Sequence, residues 1–323
     1  MSEQYDVILS AEHVKKYFPI TGLFGRLENY VRAVDDVSLE LRRGETYGLV
    51  GETGCGKSTL GRTLISLVPA TEGRILLEGR DITRLSESES RALRRQVQMV
   101  FQDPYTSLNP RKRVGNILTE AMDIQKIGQK SERMDMALEL MDRVGLHMEH
   151  FYRYPHELSG GQRQRVGLAR ALIVNPDIIV CDEPVSALDV SVQSQIINLL
   201  MDMQQQRSLT YLFISHDMSV IRYTSDRIGV MYLGHLVEEA ETEELFRNPR
   251  HPYTRVLLSA VPSPNPHVKK ERIVLEGDLP SPIDPPSGCV FHTRCPFATE
   301  ECSRVPPEMK ICADGHRVAC HHE

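Results

Sequence analysis

The chain has 323 residues, 41% hydrophobic and 25% charged, with 38 Lys+Arg against 44 Asp+Glu for a net charge of −6. That length and mix can bury a core, which excludes global disorder and a cysteine-stapled miniprotein and leaves room for one large domain plus a smaller piece. The mild acidity argues against a nucleic-acid backbone as main partner. Residues 1–6 carry no basic, apolar leader, and no apolar run is long enough to span a membrane.

The first informative segment is 45–50, short and apolar, which reads as a strand. It breaks into Gly51-Glu52-Thr53-Gly54-Cys55-Gly56-Lys57-Ser58-Thr59, followed by a helix-forming run over 58–67. The pattern G-x-x-x-x-G-K-[ST] between a strand and a helix predicts a phosphate cradle. Its glycines let backbone N–H groups converge on an anion, and the helix start adds its dipole. Lys57 reaches the β- and γ-phosphates and Ser58 holds Mg²⁺ in that reading. Cys55 contributes backbone alone. A glycine-rich structural turn would leave the lysine without purpose.

Further strands are expected at 74–79, 97–101, 178–181 and 209–214, with a helix at 189–206. Strands alternating with helices predict a mostly parallel sheet. Between them, 104–157 has another texture: Met134, Leu138, Met141 and Val144 fall at helical spacing, marking a helical insertion. Gln102 ends the 97–101 strand, so its amide carbonyl can meet Mg²⁺ or a reacting water. Asp182 and Glu183 end the 178–181 strand, at the sheet edge where ligands bind. Asp182 suits Mg²⁺ and Glu183 the polarisation of an attacking water. His216 follows the 209–214 strand and is a candidate γ-phosphate sensor.

Leu158-Ser159-Gly160-Gly161-Gln162 reads as a helix start, with Ser159 as N-cap and Gln162 closing a capping box. Two glycines there expose N–H groups, a second anion cradle. One nucleotide does not need two, so the second is expected to close over a triphosphate held by a neighbouring chain.

With these motifs in this order, the chain resembles ATP-binding cassette (ABC) proteins, and among them the ATPase subunits of oligopeptide and dipeptide importers, over about residues 8–245. The resemblance makes 51–59 the Walker A loop, Gln102 the Q-loop, 158–162 the signature, Asp182 and Glu183 the Walker B aspartate and catalytic glutamate, 186–189 with Asp189 the D-loop, and His216 the switch. It implies an α/β, RecA-like P-loop NTPase cassette over 1–245, with a helical subdomain near 104–160. ATP and Mg²⁺ are the expected cofactors. Family members stack an aromatic ring on adenine; Phe18 fits that place better than the adjacent Tyr17. The insertion at 19–30 is similar to the second of two paired importer ATPases. The resemblance therefore implies a second, related ATPase as partner, two transmembrane permeases, an extracytoplasmic solute-binding protein and a peripheral place on the cytoplasmic face of the inner membrane. Relatives also include importers for nickel and glutathione-like peptides, and soluble ABC ATPases are a rival class.

Beyond 246 the texture changes. Twelve of 19 prolines lie at 249 or later, 261–286 reads as an extended connector, and five of seven cysteines fall in the last 35 residues. Residues 248–262 resemble the C-terminal extension of peptide importers. Cys289, Cys295, Cys302 and Cys320 resemble the four ligands of a [4Fe–4S] cluster found in some members; zinc or metal-free thiols are the alternatives, with Cys312 a possible substitute ligand.

Overall fold

The computed structural model describes residues 6–22, 25–261, 273–275 and 277–323. Their strands, in chain order, are β1 (Val7–Thr21), β2 (Leu27–Arg42), β3 (Thr46–Val50), β4 (Glu72–Leu77), β5 (Arg80–Asp81), β6 (Val97–Val100), β7 (Ile178–Asp182), β8 (Thr210–Ile214), β9 (Arg227–Tyr232), β10 (His235–Glu241), β11 (Lys310–Ile311) and β12 (Arg317–Val318). The chain folds into two compact units, one from residues up to Arg84 together with Ser215–Glu323, the other from Leu85–Ile214.

The first unit holds two sheets. β2, β1, β4 and β5 lie side by side and antiparallel. Sequence reading placed β4, expected at 74–79, but anticipated a mostly parallel sheet and not this antiparallel one. β1 is long and repeatedly bulged against β2, so its apolar side chains do not alternate regularly and the period-2 signal is lost. The second sheet runs β11-β12-β10-β9-β3. Here β3 and β9 are parallel, with Tyr47 opposite Arg227, while β10 and the C-terminal hairpin continue the sheet in antiparallel sense. All five residues of β3 are buried. Covered on both faces, such a strand has no reason to alternate.

The described residues of 246–323 therefore pack with the first part of the chain. β12 pairs with β10 through Glu238–Val318 and Glu239–Arg317. Tyr232, Tyr253 and Phe291 meet edge to face or tilted, with ring centroids 4.8–5.4 Å apart. These three rings are fully buried, so strand β9, the helix Pro252–Ser259 and the cysteine-rich segment share one aromatic core. Of the expected connector, 262–272 and 276 lie outside the described residues, as do 23–24 of the 19–30 insertion.

In the second unit β6, β7 and β8 are parallel, as expected. β7 and β8 are buried at every position. The 104–157 stretch is helical: Pro104–Ser107, Val114–Gln125 and Arg133–Arg143 precede two short 3₁₀ turns and the helix Gly160–Leu172. The face of Arg133–Arg143 differs from expectation. Ala137, Leu140, Met141 and the following Val144 are buried, while Met134 is exposed at 43%. The inward stripe is offset by one residue and includes an alanine that the search for large apolar residues passed over.

Candidate functional site: two helix starts and an acidic strand end

In the first unit, β3 delivers the chain into the loop 51–59. The helix Lys57–Leu64 begins from Gly56, which holds φ +105° and offers no side-chain cap. A Cβ on Gly56 would lie 2.0 Å from the Ala33 carbonyl oxygen, so no other residue fits. The first turn thus receives no side-chain cap, the kind of helix start at which anions bind. Lys57 is buried and folds back over the loop, donating from Nζ to the carbonyls of Gly51 at 2.8 Å and Glu52 at 3.0 Å. An ammonium held by two carbonyls at an anion nest is poised to exchange them for phosphate oxygens. Burial pushes the Cys55 thiol up, although Lys57 opposes the shift. That thiol is a packing group, in keeping with a backbone role.

The loop has a brace that sequence reading missed. Glu52 donates its N–H to Tyr253 Oη at 2.8 Å, and its carboxylate pairs with Arg294 at 2.9 Å. Arg294 also donates to Tyr232 Oη at 3.5 Å. Both partners come from the C-terminal extension, far along the chain, so no local pattern announces them. His216 is exposed. Its neighbour Ser215 donates N–H to Leu49 of β3 at 3.2 Å, which sets His216 next to the strand feeding the loop. Asp217 then caps the helix Met218–Thr224. Tyr17 and Phe18 sit together on β1. Tyr17 donates its hydroxyl to Asp35 at 2.5 Å and is only partly buried, whereas Phe18 is 39% exposed under the Lys16 ammonium. Of the two rings Phe18 is the more exposed.

In the second unit, Asp182 closes β7 fully buried. Glu183 follows in the left-handed region, φ +46°, which is strained for a residue with a side chain. Its N–H donates to Ile214 of β8, and its carboxylate accepts the Gln102 amide at 2.8 Å. The structure therefore joins Gln102 to Glu183 directly, through the amide nitrogen. Ser186 Oγ donates to the Glu183 carbonyl at 3.2 Å, and Asp189 stands at the N-cap position of the helix Val190–Arg207 without a side-chain capping bond.

The other helix start is closed on itself. Ser159 Oγ accepts the Gln162 N–H at 3.3 Å, and Gln162 Oε1 accepts the Ser159 N–H at 2.9 Å. This is the expected capping box. Gly160 and Gly161 occupy the first turn, and Gly160 has ample room: an added Cβ would meet only Leu188 Cδ2, at 3.5 Å.

In the tail, all five cysteines are free thiols, with Cys302 and Cys320 buried. Burial lifts the Cys289 thiol to about 11, and the neighbouring Cys302, Cys295 and Cys320 add to that rise. Those four are electrostatic neighbours. Cys312 lies apart in the β11–β12 hairpin, where its N–H donates to His316. No helix among the described residues is long and apolar enough to cross a membrane.

Two family models match: ABC transporter over 34–186 and the C-terminal region of oligopeptide/dipeptide transporters over 237–302. The oligopeptide transport ATP-binding protein AppF of Bacillus subtilis is 56% identical across 98% of this chain and 97% of its own length. The dipeptide transport ATP-binding protein DppF of Haemophilus influenzae is 50% identical across 98% and 96%. Among solved structures, cbiO1 of Clostridium perfringens, part of the ABC transporter complex cbiONQ, aligns at TM-score 0.63 and 26% identity, covering 75% of this chain and 92% of that one. A dimer of the cassette MJ0796 bound to ADP and Pi gives TM-score 0.65 and 28% identity over 72% and 98%. The fold is that of an ABC ATPase, and the chain belongs to the family of ATP-binding proteins of oligopeptide/dipeptide ABC transporters.

Proposed function

We propose that this chain is the ATP-hydrolysing subunit that powers import of di- or oligopeptides across the cytoplasmic membrane. The observation that carries the reading is the coexistence, in one chain, of an uncapped helix start with an inturned lysine and a second glycine start complete in itself. The first cradle needs an anion; the second needs nothing from its own chain and is available to a neighbour. Two chains, head to tail, then sandwich two MgATP, each between the 51–59 loop of one and the Ser159–Gln162 helix start of the other.

In this reading Lys57 and the loop N–H groups bind the β- and γ-phosphates, with Ser58, Asp182 and the Gln102 carbonyl around Mg²⁺. Thr53, Gly54 and Thr59 line the triphosphate. Glu183, held in place by Gln102, orients the lytic water. His216 senses the γ-phosphate, and Asp189 links the two halves of the sandwich. Phe18 stacks on adenine. Closure excludes water and aligns donors with the developing charge, and hydrolysis reopens the dimer to move the permeases. The partners are a second ATPase of the same family, two transmembrane permeases and, through them, a solute-binding protein. The subunit sits peripherally on the cytoplasmic face.

Cys289, Cys295, Cys302 and Cys320 would hold a [4Fe–4S] cluster of structural role. Soft thiolates suit it. No three of them converge within 4.8 Å among the described residues, whereas thiolates on a single tetrahedral zinc stand roughly 3.8 Å apart. The cluster would knit the cysteine-rich segment to the last residues of the chain. Iron and acid-labile sulfide, measured on anaerobically purified protein, check it: four of each per chain are expected, and none would remove it.

The transport reading is tested in proteoliposomes carrying the chain with its partner subunits. Peptide uptake should require ATP. Glu183→Gln should retain ATP binding but lower hydrolysis by roughly 100-fold or more, the loss typical of a missing general base. Undiminished hydrolysis would take Glu183 out of its role, and ATP-driven uptake of another solute class in place of peptide would overturn the substrate.

A further inference from the structure

We infer that Glu244, Asp314 and His316 form a site for one divalent first-row cation of the Mn²⁺ or Zn²⁺ type, separate from both the nucleotide's Mg²⁺ and the cysteine cluster. Among the described residues, these three are the set of metal-capable side chains whose ligand atoms all lie within 4.8 Å of one another. Glu244 belongs to the helix Thr242–Arg247, while Asp314 and His316 lie at the turn between β11 and β12.

Proximity of carboxylates alone would not make a site. The imidazole does. His316 is 1% exposed, and its Nδ1 has no hydrogen-bond partner among the described residues. Its other nitrogen, Nε2, lies 2.7 Å from Glu238 Oε1. Glu238, fully buried on β10, also accepts the N–H groups of Arg250 at 2.7 Å and His251 at 3.1 Å. Surrounded by donors, this carboxylate accepts from Nε2, which places the ring proton there. Nδ1 is then a lone pair held inside the protein, on a ring that stands in one cluster with the Glu244 and Asp314 carboxylates. A metal-bound histidine has this arrangement: one nitrogen to the ion, the other anchored by an outer carboxylate. One nitrogen and two oxygens suit a borderline cation better than Ca²⁺ or a thiophilic ion.

Access agrees. Glu244, Asp314 and His316 line a cleft of about 550 Å³, and Asp314 is exposed. At present Asp314 accepts the His316 N–H at 3.1 Å and pairs with Arg250 at 2.5 Å. The cation would compete with that guanidinium. Once bound, it would fasten the β11–β12 hairpin to the helix after β10, clamping the C-terminal extension.

The test uses the full chain, stripped with chelator and free of nucleotide, titrated with MnCl₂ and followed by loss of the free-ion EPR signal. Mn²⁺ is chosen because thiolates bind it poorly. One ion per chain is expected, with nitrogen modulation from a single imidazole in pulsed EPR. Glu244→Gln and Asp314→Asn should each weaken binding at least tenfold, while Ser58→Ala leaves it unchanged. His316→Ala removes a buried ring and can misfold, so the two carboxylate variants carry the result. No retained Mn²⁺, or affinity in both carboxylate variants equal to that of the unmodified chain, would overturn the site.

Discussion

The helix starts at Gly56 and Ser159 both place glycine in or beside a first turn, on opposite terms. At Gly56 nothing in the helix caps the first turn, the glycine is sterically compulsory, and Lys57 is folded into the loop. At Ser159 a capping box completes the turn, and Gly160 is not crowded. The first is unfinished without an anion; the second is stable alone and donates only what its cap leaves over. In the proposed sandwich, that inequality would let the loop hold nucleotide before a neighbour closes over it.

The largest effect should come from Gly56→Ala. A methyl group 2.0 Å from the Ala33 carbonyl at φ +105° cannot be relieved by a side chain moving. Loss of several degrees in melting temperature and loss of ATP binding by fluorescence or calorimetry are expected; normal binding would mean the loop is not built as described.

Next comes acid. His251 accepts the Tyr253 N–H, and Tyr253 in turn braces Glu52. Burial depresses His251 to about 4, against an ordinary 6.5. The unfolded chain therefore takes up a proton between those values while the folded one does not. This histidine's contribution is intact above pH 6.5 and is lost as pH falls toward 4, by about 2 kcal/mol between pH 7 and 5. Denaturant titrations at the two pH values, with and without His251→Asn, should show the slope and its reduction.

Arg294→Ala removes the ion pair to a half-buried Glu52. A cost of about 1 kcal/mol is expected, well below that of a fully buried pair. It should be accompanied by a few-fold weaker ATP affinity, and equal affinity would make the brace merely structural. Smallest of all, Gly160→Ala should leave stability within about 0.5 kcal/mol, as a Cβ there makes ordinary contact. ATP-dependent dimer formation in sedimentation should nevertheless fall, since the methyl stands where a partner's triphosphate would approach. Undisturbed dimerisation would equalise the two helix starts as mere helix ends and break the contrast.

Much of the nucleotide machinery was legible because its chemistry is local. The 51–59 loop, the Ser159–Gln162 box and the Asp182–Glu183 strand end are each specified within ten residues, by backbone geometry that only certain side chains permit. The joining of Gln102 to Glu183 was half visible, each residue found but not their contact. What stayed hidden was non-local or aperiodic. β1 disguises its faces with bulges, and two-residue strands such as β11 and β12 have no period to detect. Met134 satisfied a helical spacing that burial did not honour. Glu52 was read as part of the 51–59 loop, and nothing local to it announces Tyr253 and Arg294 against it.

That last contact bears on how the protein is made. The residues that steady Glu52 lie 201 and 242 positions further along the chain, so they leave the ribosome many seconds after it at ordinary rates of synthesis. Until then the nascent loop has its motif but not its support. A polypeptide interrupted before Arg294 would carry every hallmark of a nucleotide site without the firmness of one, and quality control would meet it as a loosely held, protease-sensitive segment.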